Sequence, residues 1–233
     1  LTGNDPKAVI FDMDGVLIDS YRAHFASWRA VAAEHERVYT EEQFAAGFGR
    51  TSREVIAEQW QGEPLSDQRI GEIDRRKEWL FREIISGNFP AMAGAVELMQ
   101  SLVSAGFRVA VGSSGPPENV QLAIERLGVG RLLSATVTGN DVKRGKPDPQ
   151  VFLTAAARMQ VPPARCVVVE DAPVGVEAAH RGGMRAVAIA STGRTVEQLR
   201  AAELVVQSLS ELSAPRFEEL LRGRVEESSV LKT

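Results

Sequence analysis

Two aspartates two residues apart, Asp12 and Asp14, follow the apolar run Ala8-Val9-Ile10-Phe11 and precede Gly15. A run rich in β-branched residues reads as a buried strand. Side chains at i and i+2 of an extended segment share a side, so this spacing brings both carboxylates together at the strand's carboxyl end. Two carboxylates that close repel unless a cation or a shared proton intervenes. A hard divalent metal, with one Asp left as nucleophile, is the chemistry that suits them. A second acidic pair, Glu170-Asp171, ends the run Val167-Val168-Val169 and repeats the pattern. Oxygen-only donors with open positions favour Mg2+ over Zn2+.

Two more strand ends carry reactive groups. Arg108-Val109-Ala110-Val111-Gly112 delivers Ser113 and Ser114, then Gly115-Pro116-Pro117-Glu118-Asn119. A hydroxyl before a helix start is either a plain N-cap or a phosphate cradle built from free backbone N–H groups. Lys146 sits in Gly145-Lys146-Pro147-Asp148-Pro149, where glycine and prolines fix the bend. A lone loop lysine is ordinarily solvated, and a lone acidic pair ordinarily caps the next helix. Two acidic pairs, a lysine and a serine at successive strand ends make one shared site the better reading.

The elements that must position these groups come in two textures. Residues 20–88 read as all-helical: Phe25, Trp28 and Ala32 recur at helical spacing. Thr40-Glu41-Glu42-Gln43 and Thr51-Ser52-Arg53-Glu54 match the capping-box pattern. Ser66 and Asp67 open a longer helix with apolar positions Ile70, Ile73, Leu80 and Ile84. The rest alternates strand and helix, with strands expected at Phe107–Ser113, Ala135–Thr138, Cys166–Glu170, Ala186–Ala190 and Leu204–Gln207. Gly106 and Gly128 stand where C-terminal helix caps are expected, and Asp148-Pro149 reads as N-cap plus first-turn proline. Alternating β and α implies a doubly wound, Rossmann-like parallel sheet. The expected fold is therefore an α/β core, residues 1–19 and 89–233, with an all-helical cap, residues 20–88, inserted after the first strand.

The 233 residues carry a net charge of −4, with 44% hydrophobic and 25% charged residues. That is ordinary globular composition, with no basic field for nucleic acid or an anionic membrane and no apolar segment of spanning length. The single Cys166 lies in an apolar run and reads as a buried, inert thiol; without a second cysteine, a cytoplasmic setting is expected. No heptad or exposed apolar stripe is visible, so a monomer is expected rather than an oligomer.

The ordered set Asp12-Met13-Asp14-Gly15, Ser113, Lys146 and Glu170-Asp171 resembles the four signature motifs of the haloacid dehalogenase superfamily of phosphotransferases. Within it, the chain is similar to the beta-phosphoglucomutase-like branch of sugar-phosphate phosphatases and mutases. The resemblance implies a helical cap where residues 20–88 stand. It implies Asp12 as nucleophile, forming an aspartyl phosphate, and Asp14 as general acid and then base. It implies Mg2+ held by the Asp12 carboxylate, the Asp14 carbonyl and Asp171, with Glu170 assisting. Ser113, with Ser114 beside it, would hydrogen-bond the phosphoryl oxygens, and Lys146 would neutralise their charge.

Among cap residues, the resemblance aligns Ser20, His24, Trp28, Arg53 and Lys77 with mutase positions, and implies substrate contacts for His24, Arg53 and Lys77. Other positions depart from it. Gly115-Pro116-Pro117 replaces a donor-rich second phosphate site, and Gly49 replaces a cap lysine. A mutase needs that site to rebind a flipped bisphosphate. The leading expectation is thus an Mg2+-dependent phosphatase of small phosphorylated metabolites, with a sugar phosphomutase as alternative. Asp14 and Glu170-Asp171 argue against a metal-free dehalogenase, no cap lysine stands out as a Schiff base, and the helical insertion argues against a phosphoacceptor receiver module. Cap loops set specificity, and the residues there, Phe48, Arg50, Arg53 and Trp79, are chemically generic and name no substrate.

Overall fold

A computed structural model describes residues 5–47, 52–61 and 65–223. Six parallel strands form one sheet: β1 (Lys7–Phe11), β2 (Phe107–Gly112), β3 (Leu133–Val137), β4 (Cys166–Glu170), β5 (Arg185–Ile189) and β6 (Leu204–Val206), in the order β3-β2-β1-β4-β5-β6. Each expected strand is present within two residues at either end. The acid-bearing strands β1 and β4 are neighbours, with Val9 opposite both Val109 and Val167. The strand order reverses direction at β1, so the sheet has its crevice where β1, β2 and β4 end, the position where such sheets bind ligands.

Both faces of the sheet are covered. Alternate strand residues feed two apolar layers: Val9, Phe11, Val109 and Val167 pack toward α5 (Ala95–Ser104) and α9 (Ala214–Arg222). Ile10, Ala110 and Val168 pack toward α7 (Gln150–Arg158) and α8 (Pro173–Arg181). The helix α6 (Pro117–Leu127) ends at Gly128 in the left-handed conformation, as its position at the cap requires. Helix α7 starts one residue later than expected: Asp148 Oδ1 accepts from the N–H of Gln150 at 3.0 Å, and Pro149 precedes the first helical residue.

Among the described residues, four helices separate β1 from α5: α1 (Tyr21–Glu34), α2 (Glu41–Gly47), α3 (Ser52–Gln59) and α4 (Asp67–Gly87). They enclose their own apolar cluster around Trp28, Val31, Phe44, Ile56, Trp60 and Ile73. The Thr40–Gln43 capping box forms in both directions, at 2.8 and 3.3 Å. Ser66 Oγ accepts from the Arg69 N–H at 3.2 Å and starts α4 as expected.

The expected apolar stripe of α4 changes face partway along. Ile70 and Ile73 are buried in the helical cluster, but Ile84 is 39% exposed and Phe81 and Ile85 are buried in its place. Phe81 and Ile85 belong to the main core, with Leu17 and Ile18. One helix therefore serves two cores, and no single helical stripe can describe both. The chain enters and leaves the insert through paired segments: Asp19 N–H donates to Pro90 O at 2.8 Å and Met92 N–H to Leu17 O at 2.9 Å. No helix among the described residues is long and apolar enough to cross a membrane.

Candidate active site

Asp12 lies one residue beyond β1, with its N–H held by Val169 O at 2.9 Å. Asp14 is not on the strand. A tight turn carries it, in which the N–H groups of Leu17 and Ile18 donate to Met13 O at 2.9 and 3.2 Å. Both acids line the same cavity, so the expected meeting holds, but through a turn rather than through strand alternation. Gly15 adopts φ +74°, and a Cβ there would stand 2.1 Å from Asp171 Oδ2. Turn and neighbour both require glycine.

Asp12, Glu170 and Asp171 each present a carboxylate oxygen within 4.8 Å of the others, and all three are buried. Glu170 Oε2 accepts from the N–H groups of Asp171 and Ala172 at 2.8 and 2.7 Å. Its Oε1 accepts from the Lys146 ammonium, which lies 2.9 Å from Asp12 Oδ1 as well. Lys146 also stands 5.0 Å from the centre of the Phe152 ring. A Cβ on Gly175 would fall 1.9 Å from Glu170 Oε1, so α8 approaches this carboxylate only because residue 175 has no side chain.

Lys146 pairs with two of the three carboxylates and Arg194 acts on Asp171 more weakly than the neighbouring acids do, and the titration of the groups reflects the deficit. Burial pushes the Asp12 carboxyl up to about 7; Lys146 opposes this, while Glu170 and Asp14 add to it. Burial together with Glu170 and Asp12 holds Asp171 well above the usual carboxylate range. Burial works against the Lys146 charge, yet Asp12 and Glu170 outweigh it and raise the ammonium above its ordinary value. The donor set is oxygen only. Cys166 stands at the opposite end of β4, its thiol pushed up to about 12 by burial. These residues fit a hard divalent cation such as Mg2+, whose charge would offset the repulsion.

Ser113 is buried at the end of β2, its Oγ accepting from the Gly115 N–H at 3.0 Å. Ser114 is exposed and lines the cavity. The helix-start cradle is weaker than the sequence pattern implies. Pro116 and Pro117 occupy the cap and first helical positions of α6, and neither has an N–H to offer an anion.

The cavity, about 600 Å3, separates this sheet edge from the helical insert. From the insert, a hydrogen-bonded chain crosses back to the core. His24 Nε2 is 3.0 Å from Asp14 Oδ1, and His24 Nδ1 is 2.9 Å from Lys77 Nζ. An ammonium can only donate, so Nδ1 accepts and Nε2 carries the hydrogen toward Asp14. Lys77 also donates to Glu78 Oε1 at 2.7 Å, and Glu78 Oε2 accepts from Asn119 Nδ2, in the first turn of α6, at 2.6 Å. Arg82 Nη1 donates to Asn119 Oδ1 at 2.8 Å. Lys77, Glu78 and Asn119 are all buried, and the His24 ring stacks on Phe81 with centroids 4.0 Å apart. Burial pushes the Asp14 carboxyl up, but His24, Ser20 and Lys77 outweigh it and leave it below its ordinary value.

The expected cap residues divide. His24 and Lys77 join this chain. Arg53 lines the cavity, but its guanidinium is drawn to Asp67 Oδ1 at 2.9 Å in an exposed pair. Trp79 stands on the outer face of α4, 44% exposed, with the Arg76 guanidinium 4.4 Å over its ring, and does not line the cavity. Phe48, Gly49, Arg50 and the first residue of the second capping box, Thr51, lie outside the described residues. The sequence reading passed over Glu78, Asn119, Arg82 and Gly175. A signal for the first existed: Lys77 and Glu78 fall on the buried side of α4, between Ile73 and Phe81, where charges must be paired.

The model of the haloacid dehalogenase-like hydrolases matches residues 6–183. The chain belongs to that family. It is 30% identical over 214 residues to the validoxylamine A 7'-phosphate phosphatase of Streptomyces hygroscopicus subsp. limoneus, covering 91% of this chain and 98% of that protein. It is 31% identical over 238 residues to the beta-phosphoglucomutase of Bacillus subtilis strain 168, covering 95% and 99%. A crystal structure of a haloacid dehalogenase-type hydrolase of family IA, variant 3, from Entamoeba histolytica superposes with a TM-score of 0.86 at 24% identity, covering 93% of this chain and 99% of that one. Family and relatives make this haloacid dehalogenase-like chain a phosphoric monoester hydrolase.

Proposed function

We propose that the protein hydrolyses small phosphorylated metabolites, sugar phosphates among them, through an aspartyl phosphate on Asp12, with Mg2+ as cofactor. The observation that carries this reading is the buried group of Asp12, Glu170 and Asp171 with one lysine set against it, facing a cavity large enough for a sugar. Asp12, the Asp14 carbonyl and Asp171 would hold the cation, with Glu170 seating Lys146 and the loop after β4. Bound there, the cation would neutralise the carboxylates and the phosphoryl oxygens.

Asp12 attacks phosphorus, and Lys146 and Ser113 stabilise the oxygens of the transferring group. Asp14 gives a proton to the leaving alkoxide and then takes one from the attacking water. The low pKa of Asp14 suits the second step, since an ionised carboxylate is ready to accept. For the first step, the negative phosphate entering beside Asp14 raises its proton affinity. Residues 20–88 act as a cap that closes over the substrate, and His24 reaches Asp14 only when closed.

Identity to a phosphatase and to a mutase is nearly equal, so hydrolysis is preferred on other grounds. The positions Gly115-Pro116-Pro117 bring no side-chain donor for a second phosphate, and Arg53 is engaged by Asp67. The test compares leaving groups. Asp14→Asn should cut turnover of alkyl phosphates far more than that of 4-nitrophenyl phosphate, which needs little protonation. Equal losses on both, or full wild-type activity in excess chelator with metal-free protein, would overturn the mechanism.

A further inference from the structure

The chemistry above uses the ends of β1, β2 and β4 and leaves that of β5. This strand lies beside β4, with Ala188 opposite Glu170. The chain beyond it, Ser191-Thr192-Gly193-Arg194, forms a tight turn in which the Arg194 N–H donates to Ser191 O at 3.1 Å. Each residue of the turn meets a different part of the molecule. Ser191 Oγ lies 3.5 Å from Asp171 Oδ2. Thr192 Oγ1 donates to Asp19 Oδ2 at 2.9 Å. Gly193 lies against the Tyr21 ring, and Arg194 lines the cavity.

Asp19 and Tyr21 stand where the chain passes from the sheet into the helical insert. The Asp19 N–H is held by Pro90 on the returning segment, and its carboxylate takes the Thr192 bond from 173 residues away in sequence. The other carboxylate oxygen, Oδ1, is buried with no hydrogen-bond partner among the described residues. Removing the Thr192 hydroxyl would therefore leave a charged, half-buried group without its donor, which is costly. Tyr21 is the first residue of α1. Gly193 adopts φ +86°, and a Cβ there would stand 2.5 Å from Tyr21 Cε2. Phe44 packs edge-on against the same ring, with centroids 4.9 Å apart, and limits its retreat. His24 follows Tyr21 by less than one helical turn, and its N–H donates to Ser20 O at 2.9 Å. Whatever fixes Asp19 and Tyr21 thus fixes the direction in which α1 presents His24 to Asp14.

We propose that Thr192 and Gly193 are positioning residues, which clamp the entry to the cap at Asp19 and Tyr21 so that closure brings the His24 ring onto Asp14. The role given to Asp14 rests on the phosphatase reading above. The same turn touches Asp171, so the cap entry and the carboxylates that fit the cation share one brace.

The test uses the full chain with Mg2+ and two substrates, glucitol 6-phosphate, an alkyl ester, and 4-nitrophenyl phosphate. Thr192→Val keeps the shape and removes the donor; Thr192→Ser keeps the donor. Thr192→Val should lower kcat on the alkyl ester about 10-fold, the low end for a hydrogen bond to a charged group. It should lower kcat on 4-nitrophenyl phosphate less than about twofold, because that leaving group needs little protonation. Thr192→Ser should restore the ratio, and Gly193→Ala should shift it as Thr192→Val does. A second readout needs no turnover. His24 is one of three histidines. Its ring NMR signals, assigned with His24→Gln, should move in Thr192→Val and Gly193→Ala while those of His35 and His180 stay. Unmoved His24 signals, or equal losses on both substrates that Thr192→Ser does not rescue, would overturn the inference and leave the phosphatase reading intact. Failure of the wild type on the alkyl ester or on both substrates would count against the phosphatase reading, and the histidine signals alone would then decide the clamp.

Discussion

The two walls of the cavity are built on different principles. The core wall is a row of strand ends: Asp12, Ser113 and Asp171 each follow a buried strand, Glu170 closes one, and parallel pairing of β1 with β2 and β4 brings them together. Its geometry is fixed by the sheet. The cap wall is made of faces of α1, α2, α3 and α4, and a relay across it, Asp14–His24–Lys77–Glu78–Asn119, begins and ends in the core. The core wall hangs on strand pairing; the polar relay of the cap wall hangs on contacts that reach across to the core. A preorganised half and a contact-organised half let one site keep its reactive group rigid while admitting different substrates.

Substitutions should separate the two walls, and the largest effect belongs to the core. Asp12→Asn should reduce turnover by at least about 10^4-fold, as loss of a nucleophile does, while leaving the melting temperature unchanged or higher because one repelling charge is gone. Activity near the wild-type level would break the assignment. Gly175→Ala follows. Its Cβ has no room beside Glu170 Oε1, so Lys146 and Glu170 must move, and a displacement of about 1 Å costs on the order of 100-fold. Steady-state kinetics and a melting curve would register both that loss and a stability cost of about 1–3 kcal/mol.

Metal linkage tests the core wall by a different route. With Asp12 held at about 7 and Asp171 also raised, the folded chain binds protons there that the unfolded chain has released. Stability of the metal-free protein from these groups therefore falls as pH rises from about 4 to 7. A cation takes the protons' place, so Mg2+ should raise the melting temperature more at about pH 7.5 than at about pH 5.5. Equal shifts at the two pH values would contradict a cation on these carboxylates.

Effects on the cap wall should be smaller and should depend on the substrate. Asn119→Leu leaves Glu78 Oε2 and the Arg82 guanidinium without this partner, a cost of about 1–3 kcal/mol in stability. It should slow alkyl phosphates more than 4-nitrophenyl phosphate, because the relay acts through Asp14. A uniform loss would make the relay structural only. Arg53→Ala should do least: its pair with Asp67 is exposed and worth less than about 1 kcal/mol, and KM for sugar phosphates should shift only modestly. Loss of a bisphosphate-dependent isomerase activity in that variant would instead favour the mutase.

The contrast also explains what could be read in advance. Apolar runs closed by Asp12, Ser113 and Glu170-Asp171 are local patterns, and topology alone assembles them, so strands and core residues were legible. Even there the spacing argument for Asp14 succeeded for an incomplete reason, since a turn at Met13–Ile18 delivers it. Glu78 with Asn119, and Gly175 with Glu170, are pairs distant in sequence or dependent on packing that no periodicity encodes. Trp79, grouped with the cap loops, stands instead on the exposed face of α4, within the longer helix that Ser66 opens. The α4 stripe holds through Leu80 and fails at Ile84, where Phe81 and Ile85 turn to a second core that one stripe cannot describe.

That shared helix bears on how the molecule comes apart. Ile70 and Ile73 anchor α4 in the insert, and Phe81 and Ile85 anchor it beneath the sheet's own apolar layer. Melting the insert would draw α4 out of the main interior, and a chain shortened by residues 20–88 would leave Leu17 and Ile18 against an empty space. The two compartments should therefore denature in a single cooperative transition, with calorimetric and van't Hoff enthalpies agreeing. Grafting a foreign helical insert onto this sheet would preserve a folded protein only if the segment carrying Phe81 and Ile85 stayed behind.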